Sequence, residues 1–167
     1  ALKTVGTGDL QVQLMGSGTI LREVEVAAQM LADDWNVKSD VWSVTSFNEL
    51  TREAQAIDRV NRFSTDAPAV PYITQCLEHA KGPVIVATDY MRNYAEQVRK
   101  YVPNRYEVLG TDGFGRSDSR AALRSFFEVD ASYVVLASLK ALVDEGEMDT
   151  SVIAQAIEKY GININKP

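Results

Sequence analysis

Side chains able to do covalent chemistry are scarce in this sequence, and the stretches that could form a site are few. Cys76 and His79 stand three residues apart in "ITQCLEH". On a helix that spacing brings a thiol beside an imidazole, the pairing of a cysteine nucleophile with its base. No orienting group or oxyanion loop accompanies them, which leaves the pair without the rest of a catalytic constellation. "GSGT", residues 16–19, sets two glycines ahead of a helix start and could offer bare amides to an anion. It lacks the third glycine of a dinucleotide fingerprint and the lysine of a nucleoside triphosphate loop, so a tight strand-to-helix turn accounts for it as well.

The richest stretch is "LGTDGFGRSDSRAALRSFFEVD", residues 109–130. Gly113 and Gly115 let the chain visit positive φ around Phe114, and Ser117 or Asp118 is a natural N-cap for the helix that follows. Asp112 and Asp118 place two negative charges where a phosphate would sit, which weighs against a phosphate cradle. Two acids alone are also a thin ligand set for magnesium. Arg116, Arg120 and Arg124 recur every four residues and line one face if the helix begins near Arg116. Such a stripe is a dock for an acidic partner, a clamp across a subunit interface, or a solvated face paired with Asp112, Asp118 and Glu128. Surface charge rows are common, so the solvated face is the more ordinary of the three.

These stretches are carried by an alternation of strands and helices. "LQVQLMGSG" reads as a buried strand, followed by Ile20, Val24, Ala27, Ala28, Leu31 and Trp35 at helical spacing. "SDVWSVT" is the next strand, and Ser46 with Glu49 forms a capping box for a helix bearing Phe47, Leu50, Ala54 and Ile57. Residues 61–71 form an irregular loop, and "PVIVAT" and "RYEVLG" are further strands. Asp89 is positioned to cap the intervening helix, with Met91, Tyr94, Ala95, Val98 and Tyr101 inward and Pro103 ending it. The tail holds two amphipathic helices closed by Gly146 and Gly161. Four apolar strands separated by helices predict a three-layer α/β/α fold on a mostly parallel sheet, and "LKTV" can add a short edge strand. In such a sheet, ligands bind beyond the carboxyl ends of the strands, where the loops at 16–19, 45–49, 88–91 and 110–118 lie.

Composition narrows the function classes. A 167-residue chain, 46% hydrophobic and 24% charged, fits one globular domain that buries about 70% of its unfolded surface. A net charge of −6 disfavours general nucleic-acid binding. One cysteine and one histidine rule out an internal disulfide and the usual zinc sets. No apolar run approaches a membrane span, and the opening residues lack the regions of a signal peptide, so the chain reads as cytoplasmic, with no membrane partner.

"SDVWSVTSFNEL", "PYITQCL", "ATDYMRNYAEQVRKYVP" and above all "LGTDGFGRSDSRAALRSFFEVDASYVV" resemble the carboxy-terminal domain of the homodimeric bacterial pyruvate dehydrogenases, a domain of the transketolase C-terminal type. The resemblance runs from about Leu10 to Gly161. It implies a five-stranded sheet with one antiparallel strand, and a single domain over residues 1–167 that is a fragment of a longer polypeptide. The family's whole chain decarboxylates pyruvate on thiamine diphosphate and magnesium, then acetylates the lipoyl group of the dihydrolipoyl acetyltransferase component. Its cofactor lies between the other two domains, at the subunit interface. The cofactor motif Gly-Asp-Gly followed by a distant Asn has no match here, since "GTGDLQ" at 6–11 is different, and His79 matches none of the family's catalytic histidines. The resemblance therefore implies no catalytic, cofactor-binding or metal residue in this chain. It implies an assembly domain whose partners are the other two domains of its own chain and the homodimer. The candidate interface is the loop Thr111, Asp112, Gly113, Phe114, Gly115, Arg116, Ser117 and Asp118 with the helix bearing Arg120 and Arg124. An independent small-anion or nucleotide-binding α/β module, using 16–19 and 110–118, is the alternative.

Overall fold

Alternation at the level of residues becomes alternation of layers in the computed structural model, which describes residues 1–165. The strands are β1 (Lys3–Val5), β2 (Leu10–Gly16), β3 (Val37–Ser43), β4 (Val84–Ala87) and β5 (Tyr106–Leu109). They form one five-stranded sheet in the order β1-β3-β2-β4-β5. β1 runs antiparallel to β3, with Lys3 opposite Val41, and the other pairings are parallel. The mostly parallel sheet is thus the one that the alternation of strands and helices predicts, and its antiparallel edge strand is the one that the family resemblance implies.

Both faces of the central strands are covered, which is why β4 reads as a continuous apolar run. On one face Val12, Leu14 and Ile85 pack against α1 (Leu21–Trp35) through Val24 and Leu31. Helix α6 (Ala131–Asp144) joins the same core through Val134, Val135, Leu139 and Leu142, with α7 (Ser151–Tyr160) outside it. On the other face Met15, Val84, Val86 and Tyr106 pack against α2 (Phe47–Phe63), α3 (Tyr72–Leu77) and α4 (Arg92–Glu96). Each fully buried leucine among them contributes about 2–3 kcal/mol.

The layers trap polar groups, among which the buried Ser39 hydroxyl on β3 has no hydrogen-bond partner among the described residues and Gln13 has several. Gln13, wholly buried, donates to Asp40 at 3.1 Å and to the Lys81 carbonyl at 3.0 Å, and accepts from the Trp42 indole at 2.8 Å. Gly82, at φ 75°, passes so close to β2 that a Cβ there would lie 1.7 Å from the Gln11 carbonyl oxygen. Only glycine fits. Helix α7 is tied to α1 by Tyr160, whose hydroxyl accepts from the Trp35 indole at 2.8 Å and donates to Asp34 at 2.7 Å.

Several local expectations change in the folded chain. Ser46 caps α2 by accepting from the Glu49 amide at 3.2 Å, but the Glu49 carboxylate pairs with Arg52, so only half of the capping box forms. The irregular stretch begins at Ser64, because α2 runs on to Phe63. The helix after β4 breaks into α4 and a 3-10 turn at Arg99–Tyr101. Its Met91 and Tyr94, expected inward, are exposed, and only Ala95, Val98 and Tyr101 face the core. A helix that short can turn few side chains inward, and β4 beneath it is only four residues long. No helix among the described residues is long and apolar enough to cross a membrane.

Candidate functional site

The chain leaves β2 toward one face of the sheet and β4 toward the other, so the sheet has a switch point between these neighbours, where a crevice must open. Short polar residues bridge it. Ser17 Oγ donates to Thr88 Oγ1 at 2.9 Å in a buried contact, and Thr19 Oγ1 donates to Asp89 at 2.6 Å. Asp89 is therefore committed across the crevice and does not cap α4.

That cap comes from the next loop. Asp112 accepts from the Arg92 amide at 2.9 Å and from the Arg92 guanidinium at 2.5 Å. The Arg92 hydrogen bonds hold the Asp112 carboxyl below its usual range. Thr111 adds two further ties, its amide to the Tyr90 carbonyl at 3.0 Å and its hydroxyl to the Asp89 carbonyl at 2.8 Å. The base of the loop after β5 is thus sewn to the loop after β4. Its tip is free: Gly113 has φ 103°, and a Cβ at Gly113 or Gly115 would meet nothing within 4 Å. Phe114 between them is 98% exposed.

Helix α5 (Arg120–Phe126) begins later than the spacing suggests. Its N-cap is Ser119, accepting from the Ala122 amide at 3.3 Å, rather than Ser117 or Asp118. Asp118 instead accepts from the Ser119 amide at 2.7 Å, one residue on. Arg116 therefore lies outside the helix, and the expected three-arginine stripe divides into separate roles. The Arg116 guanidinium lies 4.2 Å from the centre of the Phe126 ring. Arg120 makes no ion pair among the described residues. Arg124, mostly buried, pairs with Glu23 of α1 at 2.6 Å, and the other Glu23 oxygen accepts from the Ala131 amide at the start of α6 at 3.1 Å. The acids proposed as partners for the stripe are not the ones used: Asp112 serves Arg92, and Glu23 takes Arg124.

Between these groups opens a cleft of about 480 Å³, with Leu123, Phe127 and Val129 among its walls, Thr19 and Asp89 on one side and Arg116, Asp118 and Arg120 on the other. Mixed charge makes it a poor phosphate cradle. Asp112 turns away from it to Arg92, and Asp118 accepts from the Ser119 amide. The candidate pair Cys76 and His79 straddles the end of a helix. Helix α3 ends at Leu77, before His79, and no hydrogen bond joins the two among the described residues. The Tyr72 hydroxyl, one turn earlier on α3, is influenced by Cys76, which raises the phenol above its ordinary range. Sequence reasoning missed Glu23, Thr19 and Asp89 as partners of this region. Thr19 and Asp89 lay in loops already marked by their place after strands, whereas nothing local announces Glu23, 101 residues before Arg124.

Over residues 2–130 the sequence matches the family model of the transketolase-like C-terminal domain. The chain belongs to this family. Solved transketolases share the fold of the domain. A split-gene transketolase, an inactive β4 tetramer, superposes with a TM-score of 0.55 at 18% identity over 84% of this chain and 42% of its own. The transketolase from Leishmania mexicana gives 0.50 at 20% identity over 82% of this chain and 17% of its own. Among curated relatives, the domain is 57% identical to the pyruvate dehydrogenase E1 component of Pseudomonas aeruginosa over 93% of this chain and 18% of that protein. It is 54% identical to the E1 component of Escherichia coli K12 over 99% of this chain and 19% of that protein. The domain thus spans about a fifth of the length of these relatives, and the likeness extends through α6 and α7, past the end of the family match.

Proposed function

We propose that this chain is the C-terminal assembly domain of a thiamine-diphosphate-dependent pyruvate dehydrogenase E1 component. In this reading the whole polypeptide is a homodimer that decarboxylates pyruvate and acetylates the lipoyl group of the acetyltransferase component. The domain contributes shape and contact surface, while thiamine diphosphate and magnesium are held by the rest of the polypeptide. The observation that carries the reading is identity of 48–57% to E1 components across almost the whole chain. The geometry is compatible with it: polar groups at the switch point are spent on one another, and the loop from Thr111 to Asp118 offers its tip outward. Residues 111–118 with Arg120 are the proposed seam, and Arg124 supports it from within.

Calorimetry and a pyruvate decarboxylation assay on the purified 167-residue chain test the reading. No binding of magnesium thiamine diphosphate and no turnover are expected, and stoichiometric binding or measurable turnover would overturn it. Deleting the domain from the full-length polypeptide is expected to abolish the dimer. A small-anion module remains a second reading, because Arg116 and Arg120 both border the cleft. A thermal-shift panel of phosphorylated ligands that leaves the melting point unchanged eliminates it.

A further inference from the structure

We infer that the outward face of α2 takes a second copy of this chain, the two helices lying antiparallel across Ala56 with Arg59 of each paired to Glu53 of the other. The inference rests on the homodimer of the assembly reading and adds to it a contact separate from the seam at 111–118.

Helix α2 buries Phe47, Thr51 and Ala54 against the sheet layer. On its opposite side Ala56, Val60 and Phe63 recur at helical spacing and stand in solvent, Val60 61% and Phe63 76% exposed. The chain beyond the helix doubles back along it. The Asn61 side chain donates to the Ala69 carbonyl at 2.8 Å and accepts from the Ala69 amide at 2.9 Å, and the Tyr72 amide donates to Glu53 at 3.2 Å. Val70 and Tyr72, also exposed, therefore flank the apolar stripe and widen it.

The order of charges selects the occupant. Two acids, Glu49 and Glu53, and two arginines, Arg52 and Arg59, border the stripe. It is thus a neutral face on a chain of net charge −6, where two copies meet without the repulsion that their other surfaces impose. Glu49 and Arg52 pair within the chain, whereas Glu53 and Arg59 make no ion pair among the described residues. They stand three residues before and three after Ala56, which puts them about 60° to either side of the stripe and about 4.5 Å along the axis from Ala56. A two-fold axis through Ala56 therefore lays Glu53 of one copy on Arg59 of the other, twice, as an isologous contact requires. The small Ala56 side chain lets the helices close at the axis, and Val60 covers the apolar stem of Arg52 of the second copy. The Arg59 guanidinium, 5.7 Å from the centre of the Phe63 ring, is already held on this face. An unrelated surface would have to reproduce this order by chance, and a second copy supplies it by symmetry.

Cross-linking reads the axis directly. With Cys76→Ser as background, Ala56→Cys is expected to be joined residue 56 to residue 56 by a short bismaleimide, in the 167-residue chain and in the full-length protein. Val26→Cys, at an exposed site on α1, is expected to give no such product. In sedimentation of the 167-residue chain, Glu53→Gln and Arg59→Gln should each weaken the dimer about fivefold, since either one removes two exposed pairs. The double variant should lose no more than either alone, because both changes remove the same pairs. Glu53→Gln keeps an acceptor for the Tyr72 amide, and circular dichroism confirms that each variant is folded. A chain that stays monomeric up to about 1 mM, additive losses in the double variant, or equal linking at residues 26 and 56 overturns the inference. A full-length protein that is dimeric yet does not link at residue 56 removes this contact alone. Binding of thiamine diphosphate by the isolated chain would remove the assembly reading itself.

Discussion

Replacing Arg124 with alanine separates an internal clamp from a docking stripe. The Arg124 side chain is 12% exposed and that of Glu23 23%, and their 2.6 Å contact joins α5 to α1. The same carboxylate holds the first amide of α6. Exposed pairs contribute about 0.2–1 kcal/mol, whereas stripping one partner from a fully buried pair costs about 3–5 kcal/mol. This pair lies between those limits, so Arg124→Ala is expected to cost about 2 kcal/mol, or about 4–8 °C in melting temperature for a chain of this size. Arg120→Ala, whose guanidinium has no such partner among the described residues, should stay within about 0.5 kcal/mol of the parent. Urea unfolding followed by the fluorescence of Trp35 and Trp42 reads both. A double-mutant cycle with Glu23→Gln should return a coupling of about 1–2 kcal/mol. Equal losses for Arg124→Ala and Arg120→Ala, or no coupling to Glu23, would refute the clamp and restore the single basic face.

Tyr160→Phe removes one acceptor for Trp35 and one donor to Asp34, so it should cost about 1–2 kcal/mol, with hydrogen exchange accelerated first in α7. Burial, with a hydrogen bond to Asp34, pushes the Tyr160 phenol up to about 12. A raised folded pKa means that the folded state holds the proton more tightly. This contribution is whole below the unfolded value of about 10 and fades as pH rises from there through about 12. Denaturation midpoints of the parent should therefore fall over that window more steeply than those of Tyr160→Phe, and parallel curves would contradict the assignment. Gly82→Ala drives a Cβ to 1.7 Å from a β2 carbonyl; a loss of about 3 kcal/mol or more is expected, and a normal melting curve would show that β2 yields there. Asp112→Ala unpins the base of the loop after β5, so tryptic cleavage after Arg116 in the isolated chain should quicken about fivefold, the effect of losing a cap; an unchanged rate would mean that Thr111 suffices.

Near-neighbour chemistry was legible in the residues. The period of Ile20, Val24, Ala27 and Leu31 set α1, the apolar run set β4, and Gly146 and Gly161 closed the last helices, because each signal acts within a few residues of itself. The residues of "LKTV" marked the edge strand at Lys3–Val5, whereas its antiparallel direction came only from the family resemblance. Tertiary structure alone decided who pairs with whom. Local spacing offered Asp89 as the cap of α4, but the approach of the β5 loop to the β4 loop gave the cap to Asp112 and sent Asp89 to Thr19. The even spacing of Arg116, Arg120 and Arg124 suggested one face, but Ser119 started the helix after Arg116, and Glu23 drew Arg124 inward. Hydrogen bonds and ion pairs are satisfied by whatever partner the packed layers bring within about 3 Å, and those partners lie from 20 to more than 100 residues away, beyond the reach of any local pattern.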